Sequence, residues 1–250
     1  LGMDQILNHL TKYRTMYGGA VRVPLVIRTP MGGGRGYGPT HSQSLEKYLL
    51  GIPGLKVIAP SKYHQPGDLL KQAVNVGEPV LFIEHKLLYP LELNLPEENI
   101  EKIHVEWLGD GLFRSALVSN YDEGNPDVII LTYGGESRLI NDILQEMIQE
   151  EIKVTVYIPS WINHIDLTEM KIPMKDAVWV ILEEGTHGFG WGAEVAAQLL
   201  ETFGQEVKWV KRLAALPTVI PVNQTLEQHV IPGLPQLRKA ILDLLESKYR

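Results

Sequence analysis

Apolar residues recur along this chain with two spacings, one typical of helices and one typical of strands. Met3, Ile6, Leu7 and Leu10 follow the i, i+3, i+4, i+7 spacing of an amphipathic helix. The continuous apolar run at 23–27 is typical of a strand that is buried on both faces. Because no strand precedes this first helix to begin a sheet, we expect the chain to be part of a longer protein.

The same alternation continues through short connections. The predicted elements are a helix over 44–50, a strand over 55–59, a helix that begins at Gly67, and a strand over 80–84. Strands that alternate with helices predict a parallel sheet, and such sheets bind ligands beyond the carboxyl ends of their strands. His41, Pro60 and Glu84 fall at those ends.

A polar, proline-containing stretch separates this pattern from a second alternation. We predict a first domain over 1–95, a linker over 96–126 with one short hairpin-like piece near Leu117, and a second domain over 127–250. The second domain has predicted strands at 128–132, 153–158, 178–182 and 207–210 and predicted helices at 139–149, 193–203 and 235–245. The predicted fold class is α/β, with an incomplete parallel-sheet domain followed by a second α/β domain.

The composition is that of a water-soluble globular protein, since 44% of the 250 residues are hydrophobic and 21% are charged. A formal net charge of −7 without a basic stripe argues against a nucleic-acid partner. The absence of cysteine excludes disulfides, thiol nucleophiles and zinc–thiolate sites. No apolar run is long enough to cross a bilayer and the first residues form no signal peptide. We therefore predict no membrane partner and a cytoplasmic location, with a mitochondrial or plastid location left open.

A glycine-rich segment carries the strongest candidate chemistry. Five glycines within 32–38 lead to His41, which lies at the start of a predicted helix. Glycine lets a backbone approach a ligand closely, and imidazole can move protons near neutral pH. The segment therefore predicts an active-site loop around His41, although a solvated glycine-rich turn with an incidental histidine has the same composition.

A second glycine-rich segment, 188–193, follows a strand and opens a helix, as in the dinucleotide-binding pattern G-x-G-x-x-G/A. The acidic residue expected about 20 positions later is replaced by Lys211 and Arg212, which disfavours NAD and leaves only an NADP-like variant. The pattern favours close helix-to-sheet or subunit packing over nucleotide binding. Glu183 and Glu184 lie at the preceding strand end, where a carboxylate can be catalytic, solvated or a helix cap.

The other histidines and serines match neither the spacing of a transition-metal site nor the motif of a serine hydrolase. His85, His164 and His187 lack the helical spacing of a transition-metal site, and we interpret them as surface or loop histidines. Ser42 and Ser44 stand near the loop histidine, but the chain has no Gly-x-Ser-x-Gly elbow and no recognisable acidic partner, which disfavours a serine hydrolase.

A series of ordered motifs resembles the β subunit of the E1 component of 2-oxo-acid dehydrogenases. The motifs are Met3-Asp-Gln-Ile6, Tyr17-Gly-Gly19, Val23-Pro-Leu-Val-Ile-Arg28, His41-Ser-Gln-Ser44, Pro53-Gly-Leu-Lys-Val57, Pro79-Val80, Glu84-His-Lys-Leu-Leu-Tyr89, Thr132-Tyr-Gly134, Leu182-Glu-Glu-Gly185 and Gly192-Ala-Glu-Val-Ala196. Together they span nearly the whole chain, which makes the series more specific than any one motif.

The resemblance implies a thiamine-diphosphate enzyme of the pyruvate, branched-chain 2-oxo-acid or acetoin dehydrogenase kind. Such an enzyme oxidatively decarboxylates its substrate and passes the acyl group to the lipoyl arm of an E2 partner. The resemblance further implies a transketolase-like pyrimidine-binding domain over 1–95, a transketolase C-terminal domain over 127–250, and an α₂β₂ assembly in which the E1 α subunit holds the diphosphate and Mg²⁺. His41 matches the family's active-site histidine, which orients the substrate and the acyl group.

The resemblance also implies a potassium site built mainly of main-chain carbonyls, which maps to Leu25, Ala73 and Val76 with Glu78. The family's glutamate that activates the cofactor maps upstream of Leu1. We therefore expect the cofactor-binding residues to lie outside this chain and the isolated chain to be inactive.

Two alternative functions stay open. Gly38-Pro-Thr-His41 is closer to transketolase and deoxyxylulose-phosphate synthase than to the β subunit, which is compatible with a two-carbon transferase that acts on sugar phosphates. The other alternative is a non-catalytic fragment that dimerises and docks E1 α or E2. The sequence does not distinguish among pyruvate, a branched-chain 2-oxo acid and acetoin as substrates.

Overall fold

The structure, a computed structural model, describes residues 2–95, 102–172, 174 and 176–249. In this part of the chain the strands are β1 (Val26–Met31), β2 (Lys56–Ile58), β3 (Val80–His85), β4 (His104–Leu108), β5 (Ser115–Ser119), β6 (Val128–Leu131), β7 (Val154–Ile158), β8 (Val178–Thr186) and β9 (Trp209–Ala215). They form a three-stranded sheet of order β1-β3-β2 and a six-stranded sheet of order β4-β5-β7-β6-β8-β9.

Helices cover both sheets. The α-helices are α1 (Gly2–Asp4), α2 (Tyr13–Met16), α3 (Pro66–Asn75), α4 (Ile140–Gln149), α5 (Trp191–Phe203), α6 (Gln224–Val230) and α7 (Leu234–Lys248). A π-helical segment, Gln5–Leu10, follows α1, so the predicted first helix is interrupted. Its predicted apolar face is only partly covered, because Leu10 is buried while Met3 is exposed.

The three-stranded sheet is parallel, as the sequence predicts. β1 pairs with β3 from Val26 opposite Val80 to Met31 opposite His85. The strand predicted at 23–27 therefore begins and ends later than expected, because its register follows the partners that β3 offers. Pro30 is tolerated in β1 because this strand lies at the edge of the sheet and pairs on one side.

The six-stranded sheet is mixed. β6 pairs parallel with β7 and β8, and β8 pairs parallel with β9, whereas β5 pairs antiparallel with both β4 and β7. The segment predicted as a linker thus contains two strands, β4 and β5, which belong to this sheet. Burial explains it: Ala116, Leu117 and Val118 of β5 are core residues, whereas the partly exposed edge strand β4 gives a weak apolar pattern. Residues 96–101 of the predicted linker lie outside the described residues.

Both faces of the six-stranded sheet are packed. On one face, Ile140, Ile143, Leu144 and Met147 of α4 form a buried stripe at helical spacing, and α7 packs beside them. On the other face, α5 shares a continuous apolar cluster with residues of the three-stranded sheet. The first sheet is therefore held against the second, and the predicted α/β fold class is confirmed. No helix in the described ranges has the length and apolar character needed to cross a membrane.

Candidate functional site

The segment 32–44, which we call the histidine loop, follows β1 and carries His41. Its base is closed by a hydrogen bond of 3.2 Å from Gly32 N to Gln43 O. Positive φ angles between 68° and 97° occur at Gly32, Gly34, Gly36 and Gly38. L-residues with a side chain rarely adopt this conformation, so the path of the loop depends on glycine.

The His41 side chain is exposed and lines an open cavity of about 560 Å³. Ile27, Met31 and Leu81 contribute to the apolar wall of the same cavity. Arg35 donates a hydrogen bond of 3.1 Å to the His41 carbonyl oxygen. An imidazole at the edge of an open, partly apolar cleft can donate or accept a proton at a bound molecule.

Beneath the loop, the Glu184 carboxylate accepts hydrogen bonds from three donors. Oε1 accepts hydrogen bonds from Gly33 N at 2.8 Å and from Ser44 Oγ at 2.5 Å. Oε2 accepts from His85 Nε2 at 2.7 Å. Glu184 and His85 are each only 7% exposed. Burial raises the pKa of the Glu184 carboxyl, but the hydrogen bonds from His85, Ser44 and Gly33 outweigh that effect and leave the pKa lowered.

The His85 ring is fixed by its surroundings. Its Nδ1 accepts a hydrogen bond of 3.3 Å from Leu87 N, which assigns the Nε2–H tautomer to the ring that donates to Glu184. A Cβ added at Gly32 would lie 2.0 Å from His85 Nε2, and one added at Gly135 would lie 2.2 Å from His85 Cδ2. The prediction of a surface histidine is wrong for His85, because its partners come from a strand that is distant in sequence.

Three further glutamates are buried near this point. Glu46 Oε1 accepts a hydrogen bond of 2.5 Å from the Tyr133 hydroxyl group. Burial raises the pKa of the Glu46 carboxyl, and it raises the pKa of Glu136 and of Glu183 to about 7 in each case. The Arg212 guanidinium, 3.5 Å from Glu183, lowers the pKa of that carboxyl only in part. The site therefore combines one ionised carboxylate with carboxyls that hold protons more strongly than usual.

The second glycine-rich segment packs closely against Glu183. A Cβ at Gly190 would lie 2.5 Å from Glu183 Oε2, and one at Gly192 would lie 2.7 Å from Glu183 Oε1. This contact supports the packing interpretation of 188–193. His164 and His187 are exposed, as interpreted from the sequence.

The serines near His41 have separate environments. Ser42 is fully buried and its hydroxyl group has no hydrogen-bond partner among the described residues. Ser44 does have an acidic partner, Glu184, which the sequence pattern did not reveal. Since Ser44 and His85 each bond the carboxylate, the order of groups is not that of a serine–histidine–acid triad.

The residues of the predicted potassium site are engaged by protein groups. Leu25 O accepts a hydrogen bond of 2.9 Å from Val80 N. The Glu78 carboxylate contacts Lys56 Nζ at 2.9 Å and Arg14 Nη1 at 3.1 Å. Ala73 lies in the last turns of α3, and Val76 follows that helix. The described part of the chain holds no group of three or more His, Cys, Asp or Glu side chains that could bind a metal ion. Potassium binding stays a prediction.

Comparison with known proteins gives two family matches. Residues 7–92 match "Transketolase, pyrimidine binding domain", and residues 119–237 match "Transketolase, C-terminal domain". A solved structure described as "Split gene transketolase, inactive beta4 tetramer" has a TM-score of 0.68 at 17% identity, over 98% of this chain and 72% of that chain. This likeness supports the fold.

Sequence relatives carry β-subunit names. The chain is 32% identical over 253 residues to "Pyruvate dehydrogenase E1 component subunit beta" of Porphyra purpurea, which covers 99% of this chain and 72% of the relative. It is 29% identical over 244 residues to "Acetoin:2,6-dichlorophenolindophenol oxidoreductase subunit beta" of Cupriavidus necator, which covers 95% of this chain and 67% of that relative. With its fold and its ordered motifs, the chain belongs to the family of E1 β subunits of 2-oxo-acid dehydrogenases.

Proposed function

We propose that this chain acts as the β subunit of a thiamine-diphosphate-dependent E1, with His41 as the catalytic residue that it contributes. The observation that carries the proposal is the exposed His41 imidazole on a glycine loop at the mouth of an open cleft. That cleft lies in the part of the chain that matches the pyrimidine-binding domain. An imidazole held there is free to act on a molecule that enters from solvent or from a neighbouring chain.

The cleft fits the organic rings of thiamine diphosphate. Ile27, Met31 and Leu81 offer apolar contacts to an aromatic ring, and His41 supplies a polar group beside them. We propose that the diphosphate and Mg²⁺ are held by an E1 α subunit, so that the site forms between chains of an α₂β₂ assembly. When bound, the cofactor supplies the nucleophilic carbon and the electron sink for decarboxylation.

His41 has two roles in this proposal. Its ring N–H can donate a hydrogen bond to the negative charge that develops on the substrate's carbonyl oxygen. It can also deliver or accept a proton as the acyl group passes to a lipoyl sulfur of E2. Both roles require the ring to be accessible at the cleft.

The experiment uses the full-length protein, co-expressed with the E1 α subunit. Release of CO₂ is measured with pyruvate and with a branched-chain 2-oxo acid, and dye reduction is measured with acetoin, each with and without thiamine diphosphate and Mg²⁺. We expect cofactor-dependent turnover of at least one of these substrates. Turnover of sugar phosphates instead would establish the two-carbon transferase alternative. Tight binding of E1 α or E2 with no turnover would establish the non-catalytic alternative.

A further inference from the structure

We infer that Glu184 is a positioning residue for His41, because its carboxylate fastens both ends of the histidine loop to the six-stranded sheet. The inference deepens the proposed function and depends on it for the role of His41. Glu184 lies on β8, while the loop follows β1, so the contact joins the two sheets.

The two loop residues that donate to Glu184 each directly follow a residue of the hydrogen bond that closes the base of the loop. Gly33 follows Gly32 and Ser44 follows Gln43, and the Gly32–Gln43 hydrogen bond closes the base of the loop. Both Gly33 N and Ser44 Oγ donate to the same oxygen of Glu184, at 2.8 and 2.5 Å. A single buried atom therefore fixes the distance between the two ends of the loop. His41 lies only three residues before Ser44, so a displacement at Ser44 would also displace the His41 ring.

The second oxygen of Glu184 prevents the carboxylate from turning. It accepts from His85 Nε2 at 2.7 Å, and the His85 ring is confined between Gly32 and Gly135. Hydrogen bonds to an ionised carboxylate are stronger than those between neutral groups. The carboxylate is therefore held by the protein interior and not by solvent, which lets it act as a fixed point for the loop.

Two further hydrogen bonds hold the side of the loop. Glu227 of α6 accepts a hydrogen bond of 2.7 Å at Oε2 from Gly36 N, and Gln224 Nε2 donates to Gly34 O at 3.3 Å. Beyond these contacts, Pro39, Thr40 and His41 are exposed. The second domain thus holds the base and side of the loop and leaves the end with His41 in the cleft.

The test is a double-mutant cycle on the full-length protein with E1 α, with acyl transfer to the lipoyl domain of E2 as the readout. Glu184→Gln keeps the side-chain volume but removes the charge and one acceptor, so a donor of Gly33, Ser44 or His85 loses its partner. We expect roughly a 10- to 100-fold lower kcat, since small misplacements of a catalytic group have effects of this size. The KM for the 2-oxo acid should change less than about twofold.

The cycle separates positioning from a general structural effect. If Glu184 acts through His41, Glu184→Gln should lower the rate of His41→Ala by less than about twofold, because the positioned group is already gone. An equal loss of rate in both backgrounds would overturn the inference. Glu146→Gln is the matched control: it removes the same charge from α4 in the second domain, where Glu146 pairs with Arg238 at 3.3 Å, and its kcat should stay within about twofold of the wild type.

A readout that does not require turnover keeps the inference separate from the proposed function. Amide hydrogen exchange of 33–44 should be faster in Glu184→Gln than in the wild type and in Glu146→Gln. If Glu184→Gln does not fold, Ser44→Ala should show the same faster exchange and Ser44→Thr should restore slow exchange, since threonine retains the hydroxyl group. Unchanged exchange in these variants would overturn the inference even in an active enzyme. Faster exchange in an enzyme without 2-oxo-acid activity would support the loop contact and contradict the function.

Discussion

The interior strands of the six-stranded sheet and the edge strand β1 of the three-stranded sheet differ in how completely the chain covers them. Every residue of β6 and β7 in the six-stranded sheet is buried, whereas none of the six residues of β1 in the three-stranded sheet is. The exposed histidine and the buried group that holds its loop accordingly come from different sheets. The loop of His41 follows the partly exposed strand β1, and the carboxylate that holds this loop lies on β8, where eight of nine residues are buried. An exposed side chain can thus be placed accurately when the groups that hold its loop lie in a packed core.

The largest expected effect is on stability in the second domain. Leu144→Ala removes a fully buried side chain of α4 and should lower the free energy of unfolding by about 2–5 kcal/mol. The same change at Leu25, which is 47% exposed beside the first sheet, should cost less than about 1 kcal/mol. Urea denaturation of both variants measures the difference. Equal losses would show that the two regions are covered alike.

A large effect on activity is expected in the first domain. His41→Ala should lower acyl transfer by roughly 100-fold, because general acid–base and hydrogen-bonding roles are worth that much or more. The unfolding midpoint should hardly change, since the ring is exposed. Rates and urea midpoints are measured on the same preparation. A variant that loses stability in proportion to activity would show that His41 is structural.

A smaller effect on stability is expected where the two domains meet. Gly135→Ala places a methyl group against the confined His85 ring and should cost about 1–3 kcal/mol. Gly188→Ala is the control, because an added Cβ there meets no atom within 4 Å. The thermal midpoints of the two variants should differ clearly. Similar midpoints would mean that the contact between His85 and Gly135 is loose.

The last expected effect is a pH dependence. The pKa of Glu183 is raised by burial from 4.5 to about 7, so the folded chain binds more protons than the unfolded chain between these values. This carboxyl therefore lowers stability progressively as the pH rises from about 4.5 to about 7, and not further above that. Glu183→Gln should gain stability relative to the wild type between pH 5 and pH 8. A pH-independent difference in urea midpoints would contradict this.

The sequence predicts the core of the fold well. The apolar spacings of α4 and of the strands β3, β6 and β7 match the structure closely, because burial alone defines these elements. The errors fall at β1, in the predicted linker, and in the helix predicted over 44–50, where the structure has only a 3₁₀ turn at Glu46–Tyr48. β1 is displaced because its register follows β3, and β4 and β5 lie in the predicted linker because pairing, rather than a strong apolar pattern, holds β4.

The site was predicted less completely. Position in sequence is enough to place His41 in a loop and Glu184 at the carboxyl end of a strand. It does not show that His85 and Glu184, which are 99 residues apart, share a hydrogen bond. Spacing patterns report neighbours on one helix or strand, whereas this network depends on how two sheets pack together. The environment of His85 and of the buried glutamates therefore required the structure.

The proposed function requires the histidine loop to face thiamine diphosphate at the contact with E1 α. Amide hydrogen exchange of 33–44 in the full-length protein with E1 α, recorded before and after addition of thiamine diphosphate and Mg²⁺, tests it most directly. We predict slower exchange in this segment after the cofactor is added, with no change in the control peptide 140–149 of α4. Unchanged exchange of 33–44 in a complex that has demonstrably bound the cofactor would contradict the claim.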